Sequence, residues 1–365
     1  PRLHDCIDPQ CTPCVRWNPE ASASVQDRET NSMKFSTITK ALAGGVALGA
    51  VLTSTAFADP ALIYDGGGKF DKSFNESAYT GAEKYKADTG GSYSDLEITG
   101  DAQREQAIRQ FATKGFSPIL VPGFSWATAL ETVAPDFPDT HFVIIDSVVD
   151  QPNVRSVVFK EQEGSYLVGI LAAMKSETGK IGVVPAFNFE LLEKFACGYK
   201  EGAKSVNPDI EVLETYVGAG FEAFNDPAKA SEVTKSQLDQ GVDVVFQVAG
   251  GAGAGVLQAA ADAGKFGIGV DSNQNYLHPG NVLTSMLKRV DVATYNAFMD
   301  EKNGAFTPGV VTLGLAEAGV GAAFDEFNAD LITPEMKAAV DDASAKIASG
   351  EITVHDYTTD KACPA

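Results

Sequence analysis

Residues 242–271 read VDVVFQVAGGAGAGVLQAAADAGKFGIGVD. A β-branched run over 242–246 gives way to the glycine cluster Gly250, Gly251 and Gly253, a helix is predicted over 256–263, and a second apolar run over 268–270 ends on Asp271. Strand, turn, helix and strand in that order make a βαβ unit, and therefore a parallel sheet. The alternation continues outward on both sides. Strands are predicted at 61–64, 119–121, 142–145, 154–159, 181–184 and 282–285, and helices at 75–87, 102–113, 164–175, 191–205 and 228–239. In the first helix Ala78, Ala82 and Tyr85 form an apolar stripe, while Glu83, Lys84 and Lys86 fall off it. The class is α/β, in two sets of elements: one runs over 61–159, and the other opens with the helix after Glu161. In such sheets a ligand sits beyond the carboxyl ends of the strands. Asp65, Asp146, Asp271 and the glycine cluster all occupy that position. The cluster lacks the spacing and the place in the chain of a dinucleotide loop, so it is read as a strand-to-helix turn whose backbone approaches a ligand closely.

Composition narrows the partners. The chain has 49 acidic and 28 basic side chains, for a formal charge of -21. Residues 1–58 carry as many acidic as basic groups, so the whole excess belongs to residues 59–365. Clustered Lys and Arg are what bind phosphates, so a nucleic-acid partner is not expected. The roughly 300 residues after position 58 exceed the usual single core and suffice for two lobes.

From Met33 the sequence has the form of a signal peptide over 33–58. Lys34 and Lys40 make a basic start, an apolar stretch covers 41–52, and Ala56-Phe57-Ala58 is a small-x-small cleavage site. Residues 1–32 are read as an upstream leader rather than a domain. Their Cys6, Cys11 and Cys14 find no second ligand pair at a metal-site spacing, so no metal is expected. No cysteine comes directly after Ala58, which predicts a protein without a lipid anchor, a freely diffusing periplasmic monomer. That compartment permits Cys197 and Cys363 to pair, although a buried thiol at Cys197 is the plainer expectation.

Catalytic patterns are missing. His141, His278 and His355 stand in no nucleophile or metal motif, and neither G-x-S-x-G nor H-E-x-x-H occurs, so neither an enzyme nor a cofactor is expected. Phe74 and Phe224 are more informative, because each lies in a polar loop and they come from different sets of elements. They either plug the lobes beneath them or grip a flat heterocycle between them. Asp271 is either a turn aspartate or an acceptor for both hydroxyls of a diol. Trp126, soon after the strand ending at Val121, is expected on the cleft side of the first lobe.

Four ordered blocks then carry a resemblance: 71–77 (DKSFNES), 159–166 (FKEQEGSY), 248–251 (VAGG), and 269–271 (GVD) with 282–289 (VLTSMLKR). The chain resembles the basic membrane protein (BMP) family of nucleoside receptors. The resemblance implies a type I periplasmic-binding-protein fold: two Rossmann-like lobes, hinge crossovers, and a cleft that closes on ligand for delivery to an ABC permease in the inner membrane. On this sequence it places the first lobe at 59–160 and 286–302, the second at 161–285 and 303–358, and a tail at 359–365. It implies that Phe74 and Phe224 sandwich the base of a nucleoside, a purine in preference. It further implies that Asp271 and Lys288 contact the ribose, with Lys288 balancing Asp271, that Asp65 and Asp146 lie near the base edge, and that Asn75 and Gly251 line the site. The glycine-rich run 65–70 departs from the family pattern. A sugar or other small polar ligand on the same fold, a ligand sensor for a membrane receptor, and a nucleosidase are the alternatives. Intact mass of the exported protein is expected to show a start near Asp59 and no lipid; a retained leader or an added lipid mass contradicts this.

Overall fold

A computed structural model describes residues 58–363, so the leader and all of the signal segment but Ala58 lie outside the described residues. In chain order the elements are β1 (Ala61–Tyr64), α1 (Phe74–Thr89), β2 (Ser94–Glu97), α2 (Arg104–Thr113), β3 (Ile119–Pro122), α3 (Ala127–Val133), β4 (Phe142–Ile145), β5 (Val154–Phe159), α4 (Glu161–Lys175), β6 (Lys180–Pro185) and α5 (Glu190–Val206). They continue with β7 (Glu211–Glu214), α6 (Pro227–Asp239), β8 (Val244–Val248), α7 (Gly253–Asp262), β9 (Phe266–Asp271), β10 (Val282–Lys288), α8 (Val290–Lys302), β11 (Gly309–Leu313), β12 (Val320–Ala322) and α9 (Pro334–Ala348). β1, β3 and β4 are buried along their whole length, as strands covered by helices on both faces must be.

Two six-stranded sheets result, in the orders β11-β5-β4-β3-β1-β2 and β12-β10-β9-β8-β6-β7. All pairings are parallel except that of β12 with β10. The chain crosses between the sheets three times: after β5, after β10 and between β11 and β12. This moves two boundaries read from the sequence. Residues 286–288 stay with the second sheet as the end of β10, and β11 joins the first sheet by pairing with β5 from Gly309↔Arg155 to Leu313↔Phe159. α8 packs on α1 and α9 on α4, so each sheet recruits a helix from the late part of the chain.

α1 is started by Asp71, whose carboxylate accepts the N–H groups of Ser73, Asn75 and Glu76 at 2.9–3.1 Å. α6 is started by Asp226, which accepts from Lys229, with Pro227 at the first helical position. α4 and α5 pack closely against each other. Gly198 and Gly202 of α5 lie against the carbonyls of Gln162 and Tyr166, and Gly169 of α4 lies against that of Tyr199. Cys197 on α5 is bonded to Cys363, with Cα atoms 5.3 Å apart. This replaces the buried free thiol expected at Cys197: the tail returns to α5, a proximity that 166 residues of separation conceal.

Alanine in a helix interior ordinarily gains up to about 1 kcal/mol over glycine. At Gly202 the added Cβ would collide with the Tyr166 carbonyl, so Gly202→Ala is expected to lose about 1–3 kcal/mol by overpacking. Thermal unfolding checks the sign, and a raised midpoint contradicts the packing described.

Candidate functional site

Between the sheets lies a cavity of about 330 Å³, lined by the carboxyl ends of strands from both. Asp65, Asp146 and Asp271 stand at the ends of β1, β4 and β9, and all three line it, as do Phe74, Asn75, Phe224, Gly251 and Lys288. Asp146 and Asp271 have φ of 70° and 63°, a region that non-glycine residues rarely enter. Such strain, repeated at two strand ends that share one cavity, aims each carboxylate inward.

The base of the cavity is a buried charge network. Lys288 Nζ lies 2.6 Å from Asp146 Oδ2 and 3.0 Å from Glu161 Oε1, and Lys194 Nζ lies 2.6 Å from Glu161 Oε2. Rings of Phe74, Phe159 and Phe195 surround the Lys288 ammonium at 5.2–5.5 Å. Burial alone would drive the Lys288 pKa down, but Asp146, Glu161 and Asp271 outweigh it and hold the ammonium charged well above the ordinary lysine value. Burial likewise pushes Glu161 up, and Lys288 with Lys194 overcomes it, leaving that carboxylate low. For Asp146 burial prevails over Lys288, and its pKa rises to about 6. Asp271 also rises to about 6 by burial, against the pull of Lys288 and the Ser73 hydroxyl. The expected pairing of Lys288 with Asp271 is corrected here: its direct contacts go to Asp146 and Glu161, because β10 ends facing the turn after β4 and the start of α4.

Asp271 instead joins the lobes. Its Oδ2 accepts the Ser73 hydroxyl at 2.5 Å, and its other oxygen has no hydrogen-bond partner among the described residues. Ser272 Oγ donates to the Ser73 carbonyl at 2.8 Å, Gln274 Nε2 to the Lys72 carbonyl at 2.9 Å, and Asn225 Nδ2 to the Gly66 carbonyl at 2.7 Å. At the rim Phe124 of the first lobe stacks on Phe189 of the second, centroids 4.3 Å apart and planes 17° from parallel. Polar bonds and stacked rings thus both join the lobes.

Phe74 begins α1 in the first lobe, and Phe224 belongs to the turn 221–225 in the second, where it packs edge-on against Phe187 at 5.6 Å. Both rings remain partly exposed to the cavity. Gly251 comes close to the Phe224 carbonyl and the Asp71 side chain, so the glycine turn lets backbone from one lobe reach the other. Trp126 does not face the cleft. It is fully buried in the core that holds Ile63 and Ile108, because the turn 124–126 presents Phe124 to the cavity and carries Trp126 beneath it. Sequence reasoning also passed over Ser73, Arg104, Phe124, Glu161 and Lys194. Glu161 lies inside the family-like block 159–166, but a charged residue opening a helix looks solvent-facing until its burial is seen.

Two mainly parallel sheets, three crossing connections and a polar cavity at the facing strand ends form an architecture shared with solute-binding proteins of ABC transporters. A solute-binding protein from Aeropyrum pernix K1 shares the fold at TM-score 0.76 and 30% identity, covering 82% of this chain and 93% of that one. One from Conexibacter woesei does so at TM-score 0.68 and 25% identity, covering 82% and 99%. The family model described as "ABC transporter substrate-binding protein PnrA-like" matches residues 59–358, and the chain belongs to this family, Bmp. The ABC transporter nucleoside-binding protein BmpA of Lactococcus lactis is 34% identical over 317 residues, 80% of this chain and 88% of that protein. Among the described residues no helix is long and apolar enough to cross a membrane.

The raised carboxylates fix a sign for the dependence of stability on pH. Asp146 and Asp271 titrate at about 6 when folded, above about 3.9 for an unfolded aspartate, so the native state holds these protons more tightly. Their contribution is present in full below about pH 4 and is lost as pH rises through 6; Glu161, held low, loses its contribution only in more acidic solution. The unliganded protein is therefore expected to gain stability between pH 7.5 and 5.5, and Asp271→Asn to flatten that gain. Urea unfolding midpoints at the two pH values measure it, and a fall toward pH 5.5 contradicts the assignment.

Proposed function

We propose that this chain is a periplasmic, non-lipidated nucleoside receptor that binds a nucleoside, purine in preference, between its lobes and delivers it to an ABC permease in the inner membrane. One observation carries the reading: Phe74 and Phe224, from different lobes, share a cavity with the buried carboxylate of Asp271, one oxygen of which has no protein partner among the described residues. A flat heterocycle offers two faces to the rings. A ribose offers two vicinal hydroxyls to the carboxylate, with charge assistance. The ligand is neutral, which suits a network whose ammonium groups already have carboxylate partners. Lys288 then lies beneath the sugar with Asp146 as its partner, which moves Asp146 from the base edge where it was expected, and membership of a family with a relative named as nucleoside-binding agrees. The protein acts by binding, not catalysis, and works as a monomer.

Because Ser73 also leans on Asp271, the test must separate ligand contact from lobe closure. Asp271→Ala is expected to cost about 2–5 kcal/mol with a ribonucleoside and clearly less with its 2′,3′-dideoxy counterpart, which lacks the diol. Ser73→Ala is expected to weaken both alike. Phe224→Ala is expected to cost both about 1–3 kcal/mol through lost stacking. Calorimetric titration makes the comparison; equal losses for Asp271→Ala remove the diol contact.

A further inference from the structure

At the β1 end of the cavity the groups nearest a ligand's edge are already engaged. Asp65 Oδ1 accepts the Gly66 N–H at 2.8 Å and an N–H of Arg104 Nη2 at 3.1 Å, and Oδ2 accepts the Ser125 hydroxyl at 2.8 Å. Asn75 is spent too: its Oδ1 accepts the Asp65 N–H at 3.2 Å, and its Nδ2 donates to the carbonyls of Asp65 and Gly68 at 3.3 and 3.2 Å. Gly123, at φ 108°, makes room for this arrangement, since a side chain there would press on Asp65 Oδ2. Asp65, expected at the base edge, and Asn75, expected to line the site, hold the loop in shape and have little left to offer a ligand.

Arg104 has donors to spare. Its guanidinium lines the cavity at the start of α2, lies 5.5 Å from the ring centre of buried Trp126, and is mostly buried. Of its five N–H groups, one on Nη2 donates to Asp65. Nη1 lies 3.0 Å from Asp101 as an ion pair, and Nε, without a partner, has almost no exposed surface, so the donors left for a ligand are those of Nη1 and Nη2. Asp101 is itself exposed, so water competes for its hold on Nη1. The local charge is two carboxylates against one guanidinium, which favours a neutral acceptor over an anion.

We propose that Arg104 selects the base, its free N–H groups taking the acceptor edge of a 6-oxopurine in preference to a 6-aminopurine. This rests on the nucleoside reading above. The O6 and N7 atoms of an oxopurine form the paired acceptor that arginine recognises bidentately, whereas adenine replaces O6 with an amino donor that would face the guanidinium. Asp65 and Asn75 are positioning residues: Asp65 and the Trp126 ring set the plane of the fork, and Asn75 sets Asp65.

Calorimetric titration with inosine and adenosine tests this. The unmutated protein is expected to bind inosine on the order of ten- to a hundredfold more tightly. Arg104→Met keeps an apolar stem on Trp126 and removes the donors, and is expected to bring the ratio near one by losing inosine. Asp101→Asn leaves the fork in place and is expected to keep the preference. A role limited to supporting Asp65 would weaken both nucleosides equally in Arg104→Met, and that result overturns the proposal. A test on the unmutated protein avoids any folding defect in the variant: 7-deazainosine, which lacks N7, is expected to bind about tenfold more weakly than inosine, and equal binding overturns the assignment. Nucleosides that bind without 6-substituent preference sink this proposal alone, whereas absence of binding by any nucleoside sinks the receptor reading and this proposal together.

Discussion

The ammonium of Lys288 is the contact on which the rest of the structure depends. It ends β10 in the second sheet, bonds Asp146 after β4 of the first, and meets Glu161 at the start of the helix that carries the chain between them. An isolated charge at this depth would cost several kcal/mol in lost hydration, which the two carboxylates and three surrounding rings offset. Lys194 extends the balance to the second oxygen of Glu161. Removing Lys288 leaves Asp146 without its cation and Glu161 with Lys194 alone, so this ammonium ties both sheets together at the floor of the cavity.

Asp271 stands one step from that network and links it to closure. Its carboxylate accepts a hydroxyl from the opposite lobe with one oxygen, and the other has no partner among the described residues. A ligand that engages the free oxygen therefore touches a group already joining the lobes, so binding and closure share one residue. The stacked Phe124 and Phe189 add an apolar contact at the rim, where no charge has to be desolvated.

The parts of the fold that could be read from sequence were those whose signal is local. Fully buried runs such as 61–64 and 142–145 match their strands, and the six predicted helices fall within a few residues of α1, α2, α4, α5, α6 and α7, whereas α3, α8 and α9 were not read from the sequence. Strands at the sheet edges escaped: β2 and β7 read SDLE and EVLE, and β11 is half exposed, its place fixed only by pairing with β5. Residues of the cavity and of the charge network beneath it were legible where the rule of strand ends applies, as for Asp65, Asp146 and Asp271. Arg104, Glu161 and Lys194 were not, because on a helix a charged side chain has the same pattern whether it meets water or a buried partner. The closure of Cys197 onto Cys363, and the burial of Trp126, likewise depend on contacts that spacing does not encode.

The most direct test of the central claim is native mass spectrometry of the protein purified without added ligand, then after incubation with a mixture of nucleosides and free sugars. A nucleoside receptor is expected to show a single retained adduct with the mass of an intact nucleoside, lost when Asp271 is replaced by alanine. An adduct with the mass of a sugar, or no nucleoside adduct at saturating concentration, would contradict the claim.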